Sequence, residues 1–278
     1  MYNATSFMVA LFNVTNNGGK MKFTKLAVVG MLAFAAGTAS ANGFSNGGFE
    51  DNNTSSWTTG GGYRYGTLNS SLSPEMLLPG GALYADAGTR GEVIDTSYVD
   101  PNLGAALGST VYSGQHAYRA EDTTYGGYGT AISQKVKNYT ESSIFFAWKA
   151  VLENGGHTQD ESALMQLTLT DNTTGELLIS RSYNAGYDGG GVDSRFSSQG
   201  SLFYTADWQI EQLAIGADRS GHDFTLSLLA SDCEPTGHTG YAYLDGFGST
   251  TPPVPEPETY AMLLAGLGLL GFMKRRKA

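Results

Sequence analysis

Between residues 42 and 250 the sequence predicts an all-β fold, a single β-sandwich, with an export segment before it and one short transmembrane helix after it. Three observations carry that expectation. Short runs of β-branched and aromatic residues are separated by glycine, asparagine and aspartate, the punctuation of strands and turns. No 3.6-residue apolar period runs through this stretch, so helices are not expected there. Charge-free apolar segments occur only near the two ends, at residues 26–36 and 260–273.

Taken in order, Lys22 and Lys25 precede the apolar run of residues 26–36, which ends in Thr38-Ala39-Ser40-Ala41. Positive flank, apolar stretch and small residues at an Ala-x-Ala site make a secretory signal cleaved before Asn42. Met21 is the expected start, because the twenty residues before it add nothing a signal needs. The clearest strand is 143–153, where Ile144, Phe146, Trp148, Ala150 and Leu152 share one face. In the next, 163–170, Met165, Leu167 and Leu169 alternate with polar residues. Asp171-Asn172-Thr173-Thr174-Gly175 turns the chain into a strand over 176–183, forming a hairpin. Further strands are expected at 111–120, 129–136, 207–215, 223–230 and 240–248, with a surface loop over 186–198. Trp57, Trp148 and Trp208 are expected inside, the last alternating with Ile210.

Composition narrows the function classes. From Asn42 to Pro255 there are 24 acids and nine bases, a net charge of −15, which excludes nucleic acid as a natural partner. About 210 residues suffice for one sizeable core. Glycine is abundant, at 38 of 278 residues, yet strand formers are plentiful enough for a folded, loop-rich body. The single cysteine, Cys233, forms no internal disulfide, so packing or a metal must hold the exported body together.

After the strands comes a Pro-rich linker, residues 251–258, in which Pro252, Pro253, Pro255 and Pro257 fix φ and remove amide donors, keeping the backbone extended. Residues 259–278 then read as a helix capped by Thr259 and a basic tail, Lys274-Arg275-Arg276-Lys277. Fourteen apolar residues rise about 21 Å, short of the roughly 30 Å of a bilayer core. The cations orient it tail-in by the positive-inside bias and lengthen the span by snorkelling. Val254, Pro255, Glu256 and Pro257, the helix glycines Gly266 and Gly268, and Arg275 with Arg276 resemble the PEP-CTERM sorting signal read by exosortases of Gram-negative, exopolysaccharide-producing bacteria. That resemblance implies an exosortase partner, transient anchoring in the membrane through the C-terminal helix, cleavage near Pro255 to Pro257, and a mature body at the cell surface or in the extracellular matrix.

The body itself resembles the galactose-binding-domain-like jelly roll of many carbohydrate-binding modules. Asn46-Gly47-Gly48-Phe49-Glu50 with Trp57 looks like that family's first strand and first core tryptophan. Residues 113–119 with 131–136 look like its central pair, and Tyr241-Ala242-Tyr243-Leu244-Asp245-Gly246-Phe247 like its last strand. The resemblance implies a structural calcium held by Glu50 and Asp245, hard oxygen donors suited to that ion. Gly246 departs from the polar residue common there. Asp188 and Asp193 are a weaker second acidic pair.

Catalytic constellations are not expected. Gly43-Phe44-Ser45-Asn46-Gly47 has the letters of a nucleophile elbow without its strand–turn–helix context. His116, His157, His222 and His238 lack the i, i+4 spacing of helical metal ligands and are expected as satisfied or exposed imidazoles. Acids beside Cys233 disfavour its thiolate. Carboxylate pairs are too numerous in so acidic a chain to indicate glycosidase chemistry. The remaining signal is aromatic: Tyr63-Arg64-Tyr65 after three glycines, and Tyr125-Gly126-Gly127-Tyr128. Tyrosine faces beside glycine suit stacking on pyranose rings. The expectation is therefore a non-catalytic surface or exopolysaccharide-matrix protein that binds glycan through Tyr63, Tyr65, Tyr125 and Tyr128. The contrasting classes are a purely structural or adhesive protein and a glycan-active enzyme.

Overall fold

The computed structural model describes residues 43–86, 88–187 and 190–248. The signal segment, the Pro-rich linker, the sorting residues Val254 to Pro257 with Arg275 and Arg276, the tail helix and Asp188 lie outside them. Two antiparallel sheets face each other as a jelly-roll sandwich. The first contains β1 (Thr58–Tyr63), β4 (Tyr128–Val136), β11 (Phe224–Ser231), β6 (Leu164–Asp171) and β7 (Glu176–Asn184), side by side in that order. The second runs β2 (Glu92–Asp95), β3 (His116–Ala120), β12 (Gly240–Gly248), β5 (Ser143–Glu153), β9 (Leu202–Tyr204) and β8 (Ser197–Gln199). β10 (Gln209–Ala214) shares the free edge of β5 with β9.

The sandwich core follows from alternation. Phe146, Trp148 and Leu152 of β5 meet Met165, Leu167 and Leu169 of β6 and Leu226 and Leu228 of β11, all fully buried. Burial of such side chains stabilises by roughly 1.5–3 kcal/mol each. Strand β5 occupies residues 143–153 as expected, but its other face is buried too. Residues 96–115, with a 3-10 turn at Gly104–Ala106, fold over it and supply Leu103, Leu107 and Val111 to a second apolar cluster with Val151, Tyr241 and Tyr243. Lys149 lies inside this cover, its Nζ donating to the carbonyls of Leu107 (2.5 Å) and Ala206 (2.7 Å). Burial lowers its pKa to about 8.

Four expectations need correction. Asn46 to Glu50 is a turn, with Asn46 and Phe49 in the left-handed region (φ 48° and 57°). Its strand-like contact with the last strand is a backbone clasp: the Phe247 amide donates to the Gly47 carbonyl (3.0 Å), and a Cβ on Gly47 would fall 1.6 Å from the Phe247 oxygen. The first strand is instead Thr58–Tyr63, whose glycines look like a loop. They are there because α1 (Pro74–Leu77) and the chain after it lie directly on β1, with Cβ positions on Gly60 and Gly62 falling 2.2 and 1.7 Å from the carbonyl oxygens of Leu77 and Leu83. The strand expected at 111–120 begins only at His116, since the amides of Tyr112 and Ser113 donate to Asp245 rather than to a ladder. Trp57 and Trp148 are buried, whereas Trp208 is half-buried ahead of β10 and Ile210 is 45% exposed. On that edge strand Glu211 points inward to Arg181. Part of the loop expected over 186–198 joins the sheet as β8.

Candidate functional site

The loops that join strands at one end of the sandwich build the site. The β1–β4 register sets Tyr63 opposite Tyr128, and alternation along Tyr63-Arg64-Tyr65 sends both tyrosines out and the arginine in. Tyr63 and Tyr65 stack with centroids 6.1 Å apart and planes 15° apart, and Tyr63 meets Tyr128 at 5.2 Å. Tyr63 and Tyr65 are 47% and 65% exposed. Gly127 (φ 73°) allows this approach, because a Cβ there would lie 3.2 Å from the Tyr63 ring. Tyr125, 70% exposed, does not join this face. It lines a neighbouring groove of about 390 Å³ with Asn102, Glu153, Ser201, Leu202 and Thr239. An aromatic face beside amide, carboxylate and hydroxyl groups is the mixture that orients small polar ligands. The structure thus gathers three of the four predicted tyrosines and gives the fourth its own groove.

Charged groups that sequence reasoning missed brace the face from behind. The Arg90 guanidinium lies 4.6 Å over the Tyr128 ring and binds the Asp122 carboxylate through Nε (2.7 Å) and Nη2, and Glu121 Oε1 at 3.2 Å. Burial would lower the Arg90 pKa, but the Glu121 and Asp122 charges outweigh it and raise it. Glu121 is fully buried, in a left-handed conformation (φ 65°), and accepts from Thr130 Oγ1 at 2.8 Å. Burial first, then the Asp232 charge, push its pKa up to about 8. Burial likewise raises Asp232 to about 7, against the pull of amide donors from Tyr128 and Gly240. Arg64, expected in an exposed loop, is fully buried and donates to Ser231 Oγ (2.7 Å) and the carbonyls of Asp232 and Thr67. A period of two across Tyr-Arg-Tyr was the available signal for its direction.

Glu50 and Asp245 lie near the other end of β12. Both carboxylates come within 4 Å of the point a Cβ on Gly48 would occupy. Asp245 accepts from the amides of Tyr112, Ser113 and Gly246, and Glu50 from those of Gln115 and His116. Burial raises Asp245 to about 7, with those amides opposing. Two convergent carboxylates suit a hard cation, which would share their oxygens with five amide donors. Asp193 is engaged by Arg195 at 2.7 Å.

The histidines have close polar neighbours. His222 Nδ1 sits 2.7 Å from Asp171 Oδ2, and His116 Nδ1 3.9 Å from Glu50 Oε2. His157 and His238 are not independent imidazoles: His157 Nε2 lies 3.1 Å from His238 Nδ1, which is also 3.4 Å from Cys233 Sγ. Burial and the Asp232 charge push the Cys233 thiol up to about 11, despite a backbone hydrogen bond and Arg64 pulling it down.

Outside the sandwich, one match bears on the destination. Residues 253–277 match the PEP-CTERM protein-sorting motif. This sorting motif implies export and targeting to the cell surface with exosortase processing. Among the described residues no helix is long and apolar enough to cross a membrane. No curated protein sequence matches the chain. Similar solved structures include TmCBM61 in complex with β-1,4-galactotriose (10% identity, 73% of this chain and 93% of that one, TM-score 0.37). Others are a carbohydrate-binding module specific for non-crystalline cellulose (10%, 72% and 90%, 0.33) and a cyclase from Fischerella sp. TAU (12%, 77% and 98%, 0.38). Binding modules and a cyclase both occur among them, so a ligand must be argued from this chain's own side chains.

Proposed function

We propose that this chain is an exported, exosortase-processed component of the cell surface or exopolysaccharide matrix whose sandwich binds carbohydrate without turning it over. The observation that supports it most is the exposed face of Tyr63, Tyr65 and Tyr128 beside the Tyr125 groove. Ring faces take up the apolar side of a pyranose, and Asn102 and Glu153 supply acceptors and donors for hydroxyl groups. Arg90 holds Tyr128 in place, which lowers the entropy a sugar would otherwise have to remove on binding. The acids behind this face are bound to Arg90, Thr130 and backbone amides, an arrangement suited to support rather than to acid–base turnover. A calcium ion between Glu50 and Asp245 belongs to the same proposal, in a structural role distant from the tyrosines.

The test is retention of the purified full-length protein on columns of immobilised β-galactan, cellulose and the exopolysaccharide of an exosortase-bearing host. Retention should fall at least tenfold for Tyr63→Ala with Tyr65→Ala, and for Tyr125→Ala if the groove contributes. Retention unchanged in both, or no retention on any of the glycans, overturns carbohydrate binding and leaves the structural role. Release of reducing sugar overturns the non-catalytic assignment.

A further inference from the structure

Cys233 and His238 flank the tight connection between β11 and β12, and His157 reaches them from the loop between β5 and β6. The connection is short and self-bonded: the Cys233 amide donates to the His238 carbonyl (3.1 Å) and the Thr236 amide to the Cys233 carbonyl (3.3 Å). Both ligand-bearing ends of the hairpin are therefore fixed relative to each other. The loop carrying His157 is tied to the same place, since the Glu234 amide donates to the Glu161 carbonyl at 2.7 Å and the Glu153 amide to the Thr239 carbonyl at 2.9 Å. Cys233 Sγ and one ring nitrogen from each of His157 and His238 all lie within 4.8 Å of one another. Cys233 is buried and the two imidazoles are half-buried.

We infer that Cys233, His157 and His238 form a binding site for one borderline-soft transition metal ion of the zinc class, with a fourth position open to water. Three arguments support it. First, a tetrahedral ion with metal–nitrogen distances near 2.0 Å and a metal–sulfur distance near 2.3 Å needs ligand atoms roughly 3.3–3.6 Å apart. Two of the three separations here, 3.1 and 3.4 Å, already meet that need to within a few tenths of an ångström. The third, between Cys233 and His157, lies within 4.8 Å. Second, the donor set excludes the hard ions. Two imidazole nitrogens and one thiolate select zinc or its neighbours over calcium and magnesium, which take oxygen. Third, the site is shaped around its ligand. A Cβ on Gly155 would lie over the face of the His238 ring, 2.1 Å from Nδ1 and 2.4 Å from Cγ and Cε1, so only glycine lets the backbone pack there and hold the imidazole at one angle.

Binding forms one metal–sulfur and two metal–nitrogen bonds and releases the Cys233 thiol proton to solvent, so affinity rises with pH. The ion joins the 154–163 loop to the β11–β12 hairpin. It thereby supplies, in an exported body with a single cysteine, a cross-link that no disulfide can. It also borders the Tyr125 groove, because Thr239 and Glu153, which line that groove, adjoin the two ligand-bearing segments. The site does not depend on glycan binding, and its test needs no glycan.

Purified full-length protein, stripped with chelator, is titrated with Co2+ as a spectroscopic probe and then with Zn2+. The expected result is one cobalt per chain with a thiolate-to-cobalt charge-transfer band in the near ultraviolet, bleached stoichiometrically by zinc. Cys233→Ser should lose that band. His157→Gln should weaken binding by more than the ten- to hundredfold that an outer-shell partner is worth, while keeping the wild-type circular dichroism. A folded wild type without the band, a band that survives Cys233→Ser, or His157→Gln binding as tightly as wild type overturns the proposal.

Discussion

Replacing Glu121 by glutamine isolates the cost of a buried acid behind the tyrosine face. The glutamine is isosteric: its carbonyl can still accept from Arg90 Nε, and its amide can donate to Thr130 Oγ1, which accepts as readily as it donates. What disappears is the titration. In the folded chain Glu121 ionises at about 8 instead of 4.5, so between those values the native state holds a proton that the unfolded state has lost. Stability then falls as pH rises, is fully present below about 4.5, and is lost through pH 8. At about 1.4 kcal/mol per pH unit the whole rise is worth at most about 5 kcal/mol. The neighbouring Arg90 is already counted in the raised value. The assay is urea unfolding at intervals from pH 4.5 to 8, comparing the unfolding free energy extrapolated to water for wild type and Glu121→Gln. Wild-type stability should decline more steeply than that of the variant, the two curves diverging by 2 kcal/mol or more at the alkaline end. Parallel curves would refute the reasoning, since they would mean that Glu121 ionises in the fold as it does in the open chain.

Two further outcomes follow from the structure. Phe146→Ala empties a fully buried position between the sheets, 5.7 Å from the Phe247 ring, and should cost about 3–5 kcal/mol in denaturant unfolding; a loss below 1 kcal/mol would mean the core closes over the gap. Calcium at a hundredfold excess over its Kd should stabilise the protein by about 2.7 kcal/mol, some 5–10 °C in melting temperature for a body of this size. Glu50→Ala with Asp245→Ala should abolish that rise, and a rise that persists in the double variant, or none in wild type, removes the proposed calcium site.

Much of the architecture was legible because several strands are unbroken runs of strand-forming residues bounded by turn residues, with alternation visible in β6 and β7. Strands β5, β6, β7, β11 and β12 lie within a residue or so of their expected bounds for that reason. Strand β1 was not legible. Its Gly-Gly-Gly run carries no side-chain pattern, and its cause, the carbonyls of Leu77, Gly88 and Leu83 pressed onto it, comes from chain 15 to 30 residues further on. Lys149 lies on the opposite face of β5 from Trp148, and the excursion over residues 96–115 makes it a buried cation. The tyrosines were found from composition and loop position, but the pairing of Tyr63 with Tyr128 and the separate course of Tyr125 are matters of register. The Cys233 and His238 pair could have been noticed as Cys-x4-His between two strands. His157, 76 residues earlier in the chain, could not have been joined to them without the fold.

The clasp between Gly47 and Phe247 also fixes the far end of β12. Gly240 of β12 pairs with Leu152 near the tyrosine end, and Gly248 with Phe145 at the far end. Eight steps along β12, or seven along β5, at about 3.3 Å each separate those ends by roughly 23–26 Å. Gly248, the last described residue, therefore lies at the pole opposite Tyr63 and Tyr128. The aromatic loops and Gly248 occupy opposite ends of the two sheets, so chemistry at one end can be altered without touching the backbone contacts of the other.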